Sequence, residues 1–154
     1  MSTQTQPTSK TVETEFEPFQ VNVRVKISAL WTAMLFIFAY VDIFSFFRPD
    51  FRADVGAGVV SGFSVNQTFL LVTTVYVVIP SVMVFGALVL WPRVNRIVNI
   101  VLGIIYAITI VAGMVGEWSY YLLGSAVEVA LVAAIVHYAR TWPKLDPAPT
   151  RPTA

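Results

Sequence analysis

The chain has 154 residues, of which 56% are apolar and only 12% are charged, a balance that excludes an ordinary soluble domain. The apolar residues fall in long blocks without an amphipathic period, which indicates lipid as their solvent. The net charge is +1 and no basic cluster carries stacking aromatics, so we expect no nucleic-acid partner. Because the chain contains no cysteine, disulfides, thiol chemistry and cysteine-ligated metals are excluded.

Taken in order, the chain begins with residues 1–22, which are rich in Thr, Gln and Ser, and we expect this cytoplasmic segment to be disordered. A single four-span transmembrane domain follows over residues 23–144, and a proline-rich cytoplasmic tail, residues 145–154, is also predicted to be disordered. Each apolar block is long enough to cross a hydrocarbon core of about 30 Å as a helix. The predicted spans are residues 27–47, 68–90, 97–118 and 122–140. The fold class is therefore all-α, an integral membrane four-helix bundle.

The connections between the spans differ in length. Residues 48–67 form the one long connection, where Pro49 and three glycines rule out a spanning helix. Its apolar patch, residues 55–63, is expected to lie on the membrane surface or against the bundle. Residues 91–96 are interpreted as a tight basic turn, and Pro80 is expected to kink the second span.

Orientation follows from the lysines and arginines. Only Arg48 and Arg52 fall on one side of the four spans, whereas the other eight fall on the opposite side. Both termini are therefore predicted to be cytoplasmic, in a multi-pass protein of the cell membrane, and a bacterial inner membrane is the expected location.

Three carboxylates converge on the outer half of the membrane in this topology. Asp42 lies roughly 8 Å and Glu128 roughly 9 Å below the outer ends of their spans, and Glu117 closes the third span. The up-and-down order makes the first and fourth spans neighbours, so we expect the carboxyl groups of Asp42 and Glu128 to share a proton or a cation. No Lys or Arg lies within a span, but Arg48 and Arg52 are near enough to reach inward.

A polar pocket in the outer half is the sequence-based hypothesis for a ligand site. Its predicted lining is Asp42, Tyr40, Tyr76, Tyr106, Glu117 and Glu128. The alternative interpretation is that these carboxyl groups only hydrogen-bond neighbouring helices. Three alanines on one face of the fourth span (Ala126, Ala130 and Ala134) indicate a close helix contact, within the bundle or in a homo-oligomer. The interfacial aromatic belt is expected to comprise Trp31, Trp91, Trp118, Tyr120, Tyr121 and Trp142.

Several short pieces of the sequence occur together in a known pattern. They are Lys26–Trp31, Tyr40, Asp42, Ile79–Ser81, Asn95, Arg96, Asn99, Gly103, Tyr106, Glu128 and Trp142–Lys144. Over about residues 23–144 the chain resembles a bacterial family of small four-span membrane proteins of unknown function. The resemblance implies four helices and brings no activity, substrate or cofactor with it.

Three functions stay open from the sequence. The first is a binding or transport module for a small cationic or lipidic ligand, because two carboxylates without an intramembrane cation favour a positively charged guest. The second is a structural or accessory membrane subunit, and the third is a lipid-modifying enzyme using Asp42 and Glu128 as acid and base. An enzyme is the least favoured of the three, and we expect no catalytic residue beyond this pair and no cofactor. We expect no metal either, because a single histidine without cysteine is a poor zinc site.

Overall fold

Five helices and one short hairpin make up residues 20–143, the part of the chain that the computed structural model describes. The predicted disordered segments lie almost entirely outside this range, apart from residues 20–22. In chain order the elements are α1 (Val23–Ser45), α2 (Pro49–Gly56), β1 (Val59–Val60), β2 (Phe63–Ser64), α3 (Gln67–Val89), α4 (Pro92–Gly113) and α5 (Ser119–Arg140). The helices α1, α3, α4 and α5 are long and apolar enough to cross a membrane, and each overlaps one predicted span.

The helix ends are set by capping residues that apolar content does not reveal. The Asn22 side chain accepts a hydrogen bond of 2.9 Å from the Arg24 amide, so α1 begins at Val23, before the predicted span. The Asn66 side chain caps α3 in the same way, at 2.9 Å from the Phe69 amide. Pro92 is the first residue of α4, a position that suits proline because its missing N–H would have no partner. In place of the predicted turn 91–96, Trp91 is the N-cap and residues 92–96 are the first residues of α4.

The four long helices form an uneven bundle. Helix α1 packs along both α3 and α5, and α5 packs along α4, whereas α3 and α4 touch much less. The first and fourth spans are thus neighbours, as the up-and-down order predicts. We call the end of the bundle that carries residues 46–66 the outer end and the opposite one the inner end.

Two glycines allow the closest helix approaches. A Cβ atom at Gly124 on α5 would lie 2.4 Å from Cγ2 of Val41 on α1. A Cβ atom at Gly103 on α4 would lie 2.5 Å from Cγ2 of Val136 on α5. These distances are far below an ordinary carbon contact, so only glycine fits at either position without a local shift.

A buried polar network joins α1, α3 and α4 in the inner half. The Trp31 indole donates to Oδ1 of Asn99 at 2.7 Å, and Nδ2 of Asn99 donates to Oδ1 of Asn95 at 2.6 Å. Asn95 in turn donates to the Ala87 carbonyl at 2.7 Å. Trp31, Asn95 and Asn99 are each 0% exposed. The expectation that Trp31 belongs to an interfacial belt is therefore wrong, because its indole N–H has a partner inside the bundle.

The long connection folds into an outer cover, which we define as residues 49–66. It contains α2 and the antiparallel pair β1–β2, in which Val60 pairs with Phe63. Ser61 and Gly62 both have positive φ, 50° and 81°, as a two-residue hairpin turn requires. Neither element spans the bundle, and together they form one side of the cavity described next.

Candidate functional site

A cavity of about 950 Å³ lies between the outer cover and the outer ends of the long helices. Its wall includes the end of α1, the start of α3, the end of α4 and the first turn of α5. The lining residues are Asp42, Ser45, Phe46, Arg48, Phe51, Val55, Val60, Ser61, Phe63, Val65, Phe69, Leu70, Thr73, Ala112, Gly113, Val115, Glu117 and Tyr121. Most of these side chains are apolar, and the few charged ones are therefore decisive for what the cavity can hold.

Asp42 brings a free carboxylate to this cavity. It lies one helical turn below the end of α1, where its side chain is exposed to the cavity space. Within residues 20–143 both ion pairs use Arg48, and Asp42 takes part in neither. Its carboxylate also accepts no hydrogen bond from the described residues. Asp42 is thus the carboxyl group of the cavity that has no partner among the described residues.

Glu117, in contrast, is held by Arg48. One Arg48 amino group donates to the Glu117 carboxylate, and the other donates to Asp50 at 2.6 Å. The guanidinium carbon also lies 4.8 Å from the ring centre of Trp118. Hydrogen bonds to Asp50 and Glu117 raise the pKa of Arg48 further above its ordinary value, and the bond from Arg48 holds the pKa of Asp50 below 3.8.

The ion pair with Arg48 depends on where α4 ends. The sequence predicted that Glu117 closes the third span, but α4 ends at Gly113. Gly116 has a φ of 83°, which turns the chain away from the helix and places Glu117 in the connection to α5. Arg48 therefore links the start of the outer cover to the connection between α4 and α5.

Glu128 lies deeper than Asp42. The Ser45 and Tyr120 hydroxyls are 2.9 Å apart, and Val41 faces Gly124, which fixes the register of α1 against α5. Counted by helix rise, this register puts the Cα atom of Glu128 about 7 Å further into the bundle than the Cα atom of Asp42, where the sequence had placed both residues at similar depth. Glu128 is 3% exposed and has no hydrogen bond or ion pair among the described residues.

Asp42 and Glu128 lie on the neighbouring helices α1 and α5. They share no direct hydrogen bond, and Glu128 does not line the outer cavity. A shared proton or cation between them stays a prediction.

The three tyrosines named from the sequence have separate positions. Tyr106 is buried, donates to the Tyr76 carbonyl at 2.5 Å and meets the Trp31 ring edge-on at 5.8 Å. The Tyr76 hydroxyl pairs with Thr109 at 2.7 Å, so these two tyrosines bridge the gap between α3 and α4. Tyr40 is 56% exposed, and its ring packs on Phe44 at the outer surface. None of the three lines the outer cavity.

Sequence reasoning missed the cavity's aromatic walls and Tyr121. Phe51 and Phe63 belong to a connection that contains Pro49 and three glycines, and its apolar residues have no helical period that would indicate an inward direction. Tyr121 was assigned to the interfacial belt, yet it lines the cavity. The signal that could have found it is its position in the first turn of α5, directly across from the end of α1.

Two of the three alanines that the sequence singled out on α5 do not pack inside the bundle. Ala126 and Ala130 are exposed, and Ala134 is half-buried. A close contact at the first two is therefore excluded within one chain, and the homo-oligomer contact stays a prediction.

These features define a class of protein: a helical bundle with four helices capable of crossing a membrane and a covered, acidic cavity at one end. The chain belongs to a family of unknown function, DUF6326, whose family model matches residues 15–148. The search of curated proteins gave no match, and neither did the search of solved structures.

Proposed function

We propose that this chain is a multi-pass membrane protein that binds an organic cation with apolar substituents in its outer cavity. The observation that carries the proposal is the Asp42 carboxylate, which faces the cavity without a partner among the described residues. An ionisable group at membrane depth is costly, and such groups commonly mark ligand or ion pathways. The cavity supplies the space that such a ligand needs.

The charge of the cavity supports a cation rather than an anion. Asp42 and Glu117 each contribute one negative charge, and Arg48 contributes one positive charge, so the lining carries a net charge of −1. Arg48 already contacts Glu117 and Asp50 and stacks on Trp118. A monovalent cation beside Asp42 would restore neutrality without breaking these contacts.

The apolar walls favour an organic guest over a small hydrated ion. Phe46, Phe51, Phe63 and Phe69 contribute aromatic rings to the lining. Aromatic faces attract cations that are weakly hydrated, with a stabilisation of about 0.5 to 2 kcal/mol for each well-placed ring. A volume of about 950 Å³ is in the range of ligand pockets, most of which take molecules of drug size.

The binding experiment uses the purified full-length protein in nonionic detergent and tetraphenylphosphonium as the probe. Titration calorimetry should show saturable binding that Asp42→Asn weakens about tenfold or more, the effect of losing roughly 1.4 kcal/mol of charge attraction. Asp54→Asn is the matched control, since Asp54 is an exposed acid of α2 outside the cavity lining. Triphenylphosphine oxide, which is neutral, should bind far more weakly than the cation.

Two results would refute the binding proposal. One is equal affinity of wild type and Asp42→Asn for tetraphenylphosphonium, which would make the binding nonspecific. The other is an equal loss of tetraphenylphosphonium affinity in Asp42→Asn and Asp54→Asn, which would mean that the probe responds only to the net charge of the protein.

The orientation of the protein in the membrane is part of the proposal. It rests on the excess of Lys and Arg on the side of both termini. Cysteine introduced at Thr5 or Thr150 should resist an impermeant thiol reagent in intact cells, whereas cysteine at Ser61 should react. The chain has no native cysteine, so each label reports one site. Labelling of the terminal sites alone would show that the orientation is the opposite of the one proposed.

A further inference from the structure

The carboxylates of the described residues are confined to the outer half of the bundle, where Arg48 and Arg52 also lie. Within residues 20–143 the five acidic residues all lie in the outer half: Asp42, Asp50, Asp54, Glu117 and Glu128. The inner end carries five cations and no carboxylate from this part of the chain: Arg24, Lys26, Arg93, Arg96 and Arg140. The enrichment of Lys and Arg on the cytoplasmic side of membrane proteins explains the excess of cations, but it does not explain what neutralises their charge.

Some of these cations contact only neutral groups. Arg24 donates to the Leu88 carbonyl at 2.6 Å, and Lys26 lies 5.2 Å from the ring centre of Tyr138. Arg96 donates to the Ala139 carbonyl at 3.0 Å. Carbonyls at the C-terminal ends of α3 and α5 orient the guanidinium groups but remove no full charge. Within residues 20–143, the cations of the inner end are therefore not paired with any carboxylate.

Three of the guanidinium groups belong to the junction of α4 with α5. The Arg96 side chain reaches the Arg140 carbonyl at 3.4 Å, which joins the start of α4 to the end of α5. Arg93 precedes Arg96 by three residues, about one helical turn, and both Arg93 and Arg140 are exposed. The planar guanidinium group of arginine can donate two hydrogen bonds to the oxygens of a phosphate, and several arginines around one phosphate bind it more firmly than one alone.

An apolar stripe continues from Arg93 along α4. Ile97, Val101, Ile104 and Ile108 follow Arg93 at spacings of four, four, three and four residues, so they share its face. All four side chains are exposed, from 46% to 63%. Trp91, 75% exposed, stands beside the arginines at the start of the helix, where an indole suits the level of lipid headgroups.

We propose that this junction binds an anionic phospholipid of the inner leaflet, with the phosphate against Arg93, Arg96 and Arg140. One acyl chain lies along the stripe from Ile97 to Ile108. Charge complementarity selects this occupant, because the phosphate supplies the anion that the described inner end lacks and the chain covers the exposed stripe. The inference is independent of ligand binding in the outer cavity, but it rests on the proposed membrane location and on the proposed orientation with both termini cytoplasmic.

The test compares lipids on the full-length protein purified in nonionic detergent. Dioleoylphosphatidylglycerol should raise the midpoint of thermal unfolding, followed by tryptophan fluorescence, more than dioleoylphosphatidylcholine does. Native mass spectrometry should show retained phosphatidylglycerol adducts. The double variant Arg93→Gln and Arg140→Gln should weaken phosphatidylglycerol binding about tenfold or more and leave phosphatidylcholine binding unchanged. Arg96 is kept because its contact with the Ala139 carbonyl supports the fold.

The matched control is Arg52→Gln, which removes an exposed arginine of the outer cover and should bind phosphatidylglycerol as wild type does. Glycerol phosphate, which lacks acyl chains, should not stabilise the protein at the same concentration. Equal stabilisation by both lipids would overturn the proposal. So would stabilisation by glycerol phosphate alone, or an equal loss of phosphatidylglycerol binding in the Arg52 control.

Discussion

Replacing Gly124 by alanine tests the contact that sets the register between α1 and α5. The new Cβ would lie 2.4 Å from Cγ2 of Val41, whereas carbon atoms in contact sit about 3.5 to 4.0 Å apart. Either the Val41 side chain or the helix backbones must therefore move by about 1 Å or more. Overfilling a packed contact costs about 1 to 3 kcal/mol. Alanine regains about 1 kcal/mol of helix propensity, so the net loss relative to wild type is roughly 0 to 2 kcal/mol.

The matched control is Gly86→Ala on α3. It makes the same chemical change inside a long helix, but no atom would lie closer than 3.4 Å to the new Cβ. The propensity gain cancels between the two variants, so Gly124→Ala should be less stable than Gly86→Ala by about 1 to 3 kcal/mol. The measurement is the free energy of unfolding from SDS titration in mixed micelles, followed by tryptophan fluorescence.

A second variant separates steric contact from other effects of the substitution. Val41→Ala removes the methyl group that the new Cβ would meet. In that background, Gly124→Ala should lose most of its steric penalty, giving a coupling energy of about 1 kcal/mol or more. Equal unfolding free energies for Gly124→Ala and Gly86→Ala would refute the close contact. Strict additivity of the two changes would do the same.

Three further changes probe other parts of the structure. Asn99→Ala should cost about 1 to 3 kcal/mol of unfolding free energy, because the buried Trp31 indole loses its acceptor. Arg48→Gln should make the outer cover more sensitive to protease. Acid should also make the outer cover more sensitive to protease. The pKa of Asp50 is lowered below 3.8, so the Arg48–Asp50 ion pair is present at neutral pH and is lost as the pH falls through the lowered pKa. Ala130→Leu should change stability by less than about 0.5 kcal/mol, since Ala130 is exposed.

Each of these changes has its own control and contradictory result. Asn99→Ala should have a smaller effect after Trp31→Phe, and an unchanged effect would remove the indole from the explanation. Asp50→Asn should abolish the part of the acid sensitivity assigned to the ion pair, so persistence in that variant would assign it elsewhere. A large loss of stability in Ala130→Leu would mean that this residue packs in a contact that the single chain does not contain.

The four long helices could be predicted because their apolar blocks are long and carry few charges. Their ends could not be predicted as well, since Asn22, Asn66 and Pro92 act through caps rather than through apolar content. Trp31 was misplaced for a related reason. Tryptophan is common at membrane interfaces, and only the three-dimensional structure shows that Asn99 meets its N–H inside the bundle.

The candidate site was predictable in part. Asp42 and Glu117 both line the cavity, because the connectivity of the spans already brings their helix ends together. The depth of Glu128 was not predictable, since counting from an assumed span end cannot detect the Gly124 contact that sets the register. The position of the Tyr40 side chain outside the cavity was not predictable either, because its direction depends on which face of α1 meets α5. The aromatic walls depend on how the outer cover folds back, which helical periodicity does not address.

The close contact between the first and last long helices also constrains biosynthesis. The ribosome makes α1 long before α5, so Val41 and Asp42 have no α5 partner while the rest of the chain is being synthesised. The packing around Gly124 can form only after the final helix has been made. In a chain that stops before Ser119, α1 would lack its α5 partner. The Glu117–Arg48 ion pair would then have no following helix to hold Glu117 in place. Assembly of this bundle is therefore completed from its C-terminal end, after translation has reached Arg140.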